Sequence, residues 1–161
     1  MRQTDYGYNQ PLGIPGGIFD LGGKRIVTRT IDEDVAVKPG MGLVQGATAG
    51  ETVALPDSSA TADVFEGILV HGSVNLEHDM DGVVQADNCQ AIGAMQHGRI
   101  WASIVETATV AYGSSVALIT DGDNVGKFTD ADDSSEATKV TIDAKFIGKV
   151  DTDNLIAVVE L

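Results

Sequence analysis

Apolar residues from Lys24 to the end of the chain fall into short, mostly β-branched runs separated by turn residues. The runs cover residues 24–31, 35–37, 42–46, 52–55, 64–70, 82–86, 91–95, 99–106, 115–120, 138–150 and 154–161. Runs of this length, with Gly, Asp, Asn and Ser between them, are typical of strands joined by tight turns. The pattern predicts a mainly β fold with little helix, a small antiparallel β-barrel or β-sandwich, over residues 24–161.

Two of these runs indicate which side chains share a face. Val140, Ile142, Ala144 and Phe146 alternate with polar residues, as expected of a half-buried strand. In the run 99–106, Trp101 lies on the face opposite its large apolar neighbours. It therefore packs against a second layer, forms a possible subunit contact or serves as a platform for a ligand, and the sequence leaves these interpretations open.

Residues 1–23 have a different character. Gly and Pro interrupt every possible helix in this segment, while apolar and aromatic side chains remain spaced along it. A disordered tail would be poorer in apolar residues. The segment is predicted to be an extended N-terminal arm that wraps its own domain or adds to a neighbour through these candidate partner-binding residues: Arg2, Tyr6, Tyr8, Leu12, Ile14, Ile18, Phe19 and Arg25.

Charge narrows the class of partner. The net charge is −14 with a sequence pI near 4.2, whereas residues 1–30 carry four basic residues against two acidic ones. Nucleic acids and anionic membranes need a basic surface, so neither is expected as a partner. The chain has no apolar run of signal-peptide length and none near the ~20 residues that span a bilayer. We expect a protein that stays soluble after synthesis and is not exported.

Candidate chemical sites fail on spacing or context. The segment 17–25 lacks the Gly-Lys-Ser/Thr order of a phosphate-binding loop, and the loop 121–132 has Val125 where a calcium loop needs an oxygen ligand. His71, His78 and His97 are not in ligand spacing. The lone Cys89 is expected to be a small buried or half-buried residue. The sequence therefore predicts no catalytic residues, no metal and no cofactor.

Several segments, taken in order, resemble the bacteriophage capsid cement or decoration proteins, the structural cement protein family. The resemblance begins with Gly13-Ile14-Pro15-Gly16-Gly17-Ile18 and Lys38-Pro39-Gly40-Met41-Gly42-Leu43-Val44 and extends over nearly the whole chain. Its remaining segments are 65–68, 98–102, 112–118, 146–150 and 157–161.

This resemblance implies a non-enzymatic β-rich protein on the outer surface of an assembled phage head. It further implies a homotrimer that bridges major capsid protein subunits and stabilises the virion. Another β-rich virion or surface module, such as a tail, fibre or glycan-binding domain, is the alternative. The arm, residues 1–23, is the expected attachment segment, and the mildly basic character belongs to the wider N-terminal region of residues 1–30.

Overall fold

The computed structural model describes residues 12–72, 77–78, 82–135 and 138–161, with residues 77–78 described by their backbone alone. Twelve strands are assigned in these ranges, together with one 3-10 turn at Ala62–Val64. Their bounds are as follows: β1 Arg25–Ile31, β2 Gly42–Gln45, β3 Thr52–Ala54, β4 Phe65–Leu69, β5 Glu77–His78, β6 Val84–Gln85, β7 Ala91–His97, β8 Arg99–Ser103, β9 Ser115–Ile119, β10 Phe128–Asp130, β11 Lys139–Asp151 and β12 Ile156–Glu160.

The strands form two main layers and one short hairpin. A closed barrel has the order β1-β3-β2-β4-β7, a five-stranded sheet has the order β10-β9-β11-β12-β8, and β5 pairs with β6. The five-stranded sheet curls until its ends approach each other, because Ile104 after β8 bridges Phe128 of β10. The predicted mainly β class is therefore confirmed, with a barrel and a second sheet in one chain.

Apolar side chains form two cores. The barrel interior holds Ile31, Val37, Leu43, Val53, Leu69, Ala86, Ile92 and Ala94. The larger core lies where the barrel wall meets the inner face of the curled sheet, and Val44, Ile68 and Met95 of the barrel contact it there. On the sheet side it contains the fully buried rings of Phe128 and Phe146, each contributing roughly 2–3 kcal/mol by burial.

Strand β11 confirms the alternation read from the sequence. Ile142, Ala144 and Phe146 are buried in the larger core, whereas Thr141 and Asp143 are exposed. The alternation stops after Phe146, where the pairing of β11 with β12 shifts register before Val150. Such a bulge turns the following side chains away from the earlier pattern.

Pairing differs from the sequence expectation in three places. The run 35–37 forms no strand and contributes only a bridge from Val37 to Ala86. Strand β10 was not predicted, because its three residues are too few to show a period. Strands β1 and β3 pair in parallel. In the barrel, β2 lies between β3 and β4, so β3 is the strand that borders β1.

Two burial expectations were wrong. Cys89 is exposed, because it occupies a turn between β6 and β7 with φ 64°, and its N–H donates to the Ile31 carbonyl while its side chain faces outward. Pro39 and Gly40 lie in the predicted turn between the runs 35–37 and 42–46, where exposed residues are expected, yet both are buried. They fill the junction between the barrel and strand β8, which the sequence could not place.

Candidate attachment surface

The described part of the arm runs along the free edge of β8 in its own chain. The Gly16 N–H donates to the Trp101 carbonyl at 2.7 Å, the Trp101 N–H donates to Gly17 at 2.9 Å, and the Phe19 N–H donates to Arg99 at 2.9 Å. Ile18 forms an antiparallel bridge with Ile100. Residues 16–19 therefore provide hydrogen-bond partners for backbone groups of the edge strand β8. Without these partners, the same groups could pair with another chain.

Trp101 lies beneath this segment. Its ring is 5% exposed, packs with Ile156 and Val158, and meets the Phe19 ring edge-on at a centroid distance of 5.8 Å. Gly13 lies flat against the ring, so a Cβ there would overlap the indole. The structure thus covers Trp101 with its own arm. A subunit contact through Trp101 stays a prediction, and it would require residues 13–19 to leave the ring.

Gly16 joins the two layers of the fold. Its carbonyl accepts from the His71 N–H of the barrel side at 2.8 Å, while its own N–H binds the sheet. Its φ is 74°, and a Cβ there would lie 2.7 Å from the Leu69 carbonyl oxygen and 2.8 Å from Pro39. Only glycine can adopt this positive φ and also leave room for these close neighbours without strain. The arm segment 13–18 and the segment 38–42, separate in sequence, therefore meet at β8.

Charged groups hold the two ends of the arm segment. At the start, the Leu12 N–H donates to Asp151 Oδ2 at 3.1 Å. Hydrogen bonds from the Asn154 side chain, and also from backbone N–H groups including that of Leu12, hold the pKa of Asp151 below its ordinary value. At the other end, Arg99 contacts Asp20 at 3.2 Å and Glu160 at 3.4 Å.

The predicted arm residues separate into two groups. Ile18 and Phe19 are half-buried against their own domain, whereas Leu12 is 64% exposed and Ile14 is 48% exposed. Arg25, at the start of β1, is also exposed. Arg2, Tyr6 and Tyr8 lie outside the described residues. The outward side of the anchored arm is therefore apolar.

Two exposed apolar side chains were missed by the sequence interpretation. Leu21 is 90% exposed, and Tyr112 is 84% exposed on the loop before β9. Tyr112 stands in one of the segments that carry the family resemblance, and an aromatic residue beside glycine in a turn was a usable signal. Leu21 lies between Asp20 and Gly22 and gave no periodic signal.

A polar network at the mouth of the barrel was also missed. The Glu66 carboxylate accepts from Arg29 at 3.2 Å, from Gln45 at 3.2 Å and from Gln96 at 3.0 Å. The side chains of Arg29 and Glu66 are only 16% and 10% exposed. Among the described residues no buried side-chain polar atom lacks a partner. The network closes one end of the barrel, and its buried polar atoms all have hydrogen-bond partners.

The segments considered as chemical sites lie at the surface. Gly22 and Gly23 are exposed, and they lead into strand β1 instead of the helix that a phosphate loop needs. The loop Asp121–Asn124 is largely exposed, with Asp121 accepting from the Gly122 N–H. No group of three or more metal-ligating side chains is found in the described part of the chain. The described residues also include no helix of the length and apolar character needed to cross a bilayer.

A cavity of about 370 Å³ opens beside β2 and β3, where Asp32 and Asp57 are among its lining residues. The Asp57 carboxylate accepts from the hydroxyl and N–H of Ser59, and the hydroxyl contact in particular holds its pKa below the ordinary value. Asp32 accepts from the Ala47 N–H. A carboxylate of lowered pKa is poorly suited to proton transfer near neutral pH.

The fold and the surface define a class: a β-rich protein with an arm paired to its own sheet edge and several exposed apolar side chains. A family model described as "Structural cement protein (E217 gp24/Pam3 gp6)" matches residues 1–161. The chain belongs to this family of phage structural proteins. Its sequence resemblance is thereby confirmed.

A solved structure gives the same fold. A chain of "The capsid of Myoviridae Phage XM1" superposes with a TM-score of 0.72 at 14% sequence identity, covering 99% of this chain and 97% of that one. At this identity the likeness concerns the fold. No curated protein matches the chain.

Proposed function

We propose that this protein binds the outer surface of an assembled bacteriophage head, as trimers, and stabilises the head by bridging major capsid protein subunits. Its place is then the virion, after synthesis in the host cytoplasm, and its role involves no catalysis, nucleic acid or membrane. The observation that carries the proposal is the match of the structural cement family over all 161 residues. The fold shared with a chain of a phage capsid supports it.

The anchored arm supplies a contact surface for the shell. Ordering a chain segment costs roughly 1–2 kcal/mol per residue. Residues 16–19 pair with β8 and Leu12 is bound to Asp151, so a contact made by Leu12 and Ile14 would not bear that cost again. Residues 1–11, which continue from Leu12, are proposed to reach a neighbouring subunit with Arg2, Tyr6 and Tyr8.

Charge favours a directed contact. The chain carries −14 overall, which opposes non-specific association of copies, while Lys24 and Arg25 are exposed beside the arm. Basic side chains at this position can pair with carboxylates on a shell subunit. Such pairs fix the orientation of the two proteins and raise the association rate, and they add less to the affinity.

The test is attachment to heads that lack the protein. Removal of residues 1–11, or the double change Leu12→Ser and Ile14→Ser, should weaken binding at least about tenfold, since central apolar contacts dominate interfaces. The truncation stops before Leu12 because residues 13–19 belong to the packing of the fold. Val35→Ser is the matched control, since Val35 is 61% exposed on the barrel side of the molecule.

Co-sedimentation with purified heads measures the affinity, and circular dichroism checks that each variant is folded. Unchanged affinity of both arm variants would contradict attachment through the arm. Saturable binding of the wild-type chain to a glycan, with none to heads, would instead support the tail, fibre or glycan-binding alternative.

A further inference from the structure

The loop before β9 presents an aromatic side chain on a rigid base. This segment, residues 106–114, is called the Tyr112 loop here. The Gly113 N–H donates to the Phe146 carbonyl at 2.8 Å, and the Phe146 N–H donates to Ser114 at 3.0 Å. The Ser114 hydroxyl closes the turn by donating to Ala111 at 3.0 Å. The 84% exposure of Tyr112 therefore does not come from a loose loop.

Contacts below the ring fix its position further. The Tyr112 Cβ lies 3.2 Å from where a Cβ on Gly148 would stand, so the loop lies close on the bulge of β11. Tyrosine on a rigid base is a frequent anchor of protein interfaces, because it offers a large contact area with few rotatable bonds. Nothing in the described part of the chain covers the ring.

The surroundings of Tyr112 differ on its two sides. On the β11 side, Lys145 and Lys149 are exposed. On the β10 side lies a cavity of about 370 Å³ lined by Thr109, Ala111, Asp130, Asp132, Asp133 and Ser134. Strand β9 lies between the β11 side and the β10 side. Ser115 of β9 pairs with Lys145 of β11, and the Ser115 carbonyl accepts from the Ala131 N–H, next to β10.

The cavity carries a negative rim. Asp133 accepts from the Ser135 N–H and the Thr129 hydroxyl, and these contacts hold its pKa below the ordinary value. The Lys139 ammonium lies behind the rim and donates to the carbonyls of Asp130 and Asp133. Three aspartates, Asp130, Asp132 and Asp133, thus line the cavity, and Ala111 and Thr109 supply less polar walls.

We propose that Tyr112 with Lys149 of one copy docks into the cavity at Asp130–Ser134 of a second copy of this chain. A ring flanked by ammonium groups matches a cavity with carboxylates at its rim, and pockets of about 300 Å³ already hold small organic groups. A knob and its matching cavity at different places on one surface make a head-to-tail contact.

Such contacts form a ring when the rotation from one copy to the next closes, and an open filament when it does not. Because knob and cavity lie on adjacent sides of one loop, a threefold axis beside the Tyr112 loop places the knob of each copy next to the cavity of the following copy. This inference rests on the proposed trimer and identifies the surface that forms it.

The experiment measures self-association of the full chain by light scattering and analytical ultracentrifugation over a concentration series. Tyr112→Ala should weaken association at least about tenfold, the size of effect expected for an interface anchor. Tyr112→Phe keeps the ring and should stay near wild type. Val35→Ala is the control, an exposed apolar residue away from this surface.

A charge exchange tests the pairing itself. Lys149→Glu and Asp132→Lys should each weaken association, and the double variant should recover most of it. Association unaffected by Tyr112→Ala, a wild-type chain that stays monomeric, or a double variant no better than either single one would overturn the inference.

Head binding is measured on the same variants to separate the two proposals. If Tyr112→Ala loses binding to heads while its self-association is unchanged, the ring contacts the shell protein and the inference is wrong, while the cement function stands. A wild-type chain that self-associates through Tyr112 but never binds heads would contradict only the proposed function.

Discussion

The Gly13→Ala variant tests how closely the arm lies on Trp101. An alanine Cβ at this position would lie 2.6 Å from the ring atom Cδ2 and nearer still to Cε2 and Nε1, whereas carbon atoms in contact prefer about 3.5–4.0 Å. The ring cannot retreat, because it packs against Ile156 and Val158. The arm must therefore move outward by about 1 Å.

The cost can be bounded from two opposing effects. Overpacking at a tight contact costs about 1–3 kcal/mol. Replacing glycine by alanine also restricts the unfolded chain, which offsets about 0.4–1 kcal/mol. Near the middle of both ranges the net loss is about 1–2 kcal/mol. In a chain of this size each kcal/mol lowers Tm by about 2–4 °C. We expect Tm to fall by about 2–8 °C.

Thermal unfolding followed by circular dichroism measures this loss, and fluorescence reports the local change. Trp101 is the only tryptophan in the chain, so its emission should shift to the red and its quenching by acrylamide should increase. Gly23→Ala is the control, since no atom lies within 4 Å of a Cβ there. Equal Tm and equal emission for the two variants would refute the described seating of the arm.

Three further outcomes are expected. Gly16→Ala should cost about 1–3 kcal/mol more than Gly50→Ala by urea unfolding, because both have positive φ but only Gly16 is closely packed; equal losses would contradict that packing. Glu66→Ala leaves a largely buried guanidinium unpaired and should cost about 3 kcal/mol; a loss below about 1 kcal/mol would refute it. The pKa of Asp151 is lowered in the folded chain, so its stabilisation is present above the unfolded value and disappears as pH falls below about 4. Asp151→Asn should flatten the stability loss below about pH 4, and an unchanged slope would contradict this role.

Periodic and local features were predictable from the sequence. The alternation along β11 and the turn residues between runs identified most strands, because each strand presents one face to a core. Features that join distant segments were not predictable. The contact of Gly13 with Trp101 and the Glu66 network depend on which strands become neighbours, and periodicity carries no such information.

The arm was likewise predictable in its local character but not in its contacts. Its Gly and Pro content indicated an extended segment, and the sequence left open whether it wraps its own domain or a neighbour. Backbone pairing with β8 settles this for residues 16–19, and it turns Ile18 and Phe19 inward while Leu12 and Ile14 remain exposed. A segment without alternation could not reveal which side chains face outward.

Binding of the purified full-length chain to assembled phage heads that lack it tests the central claim most directly. The cement function predicts saturable binding to intact heads, with a defined number of copies per head and an increased resistance of the particle to heat. Heads that bind none of the folded chain, or that bind it to saturation without any gain in thermal resistance, would contradict the claim.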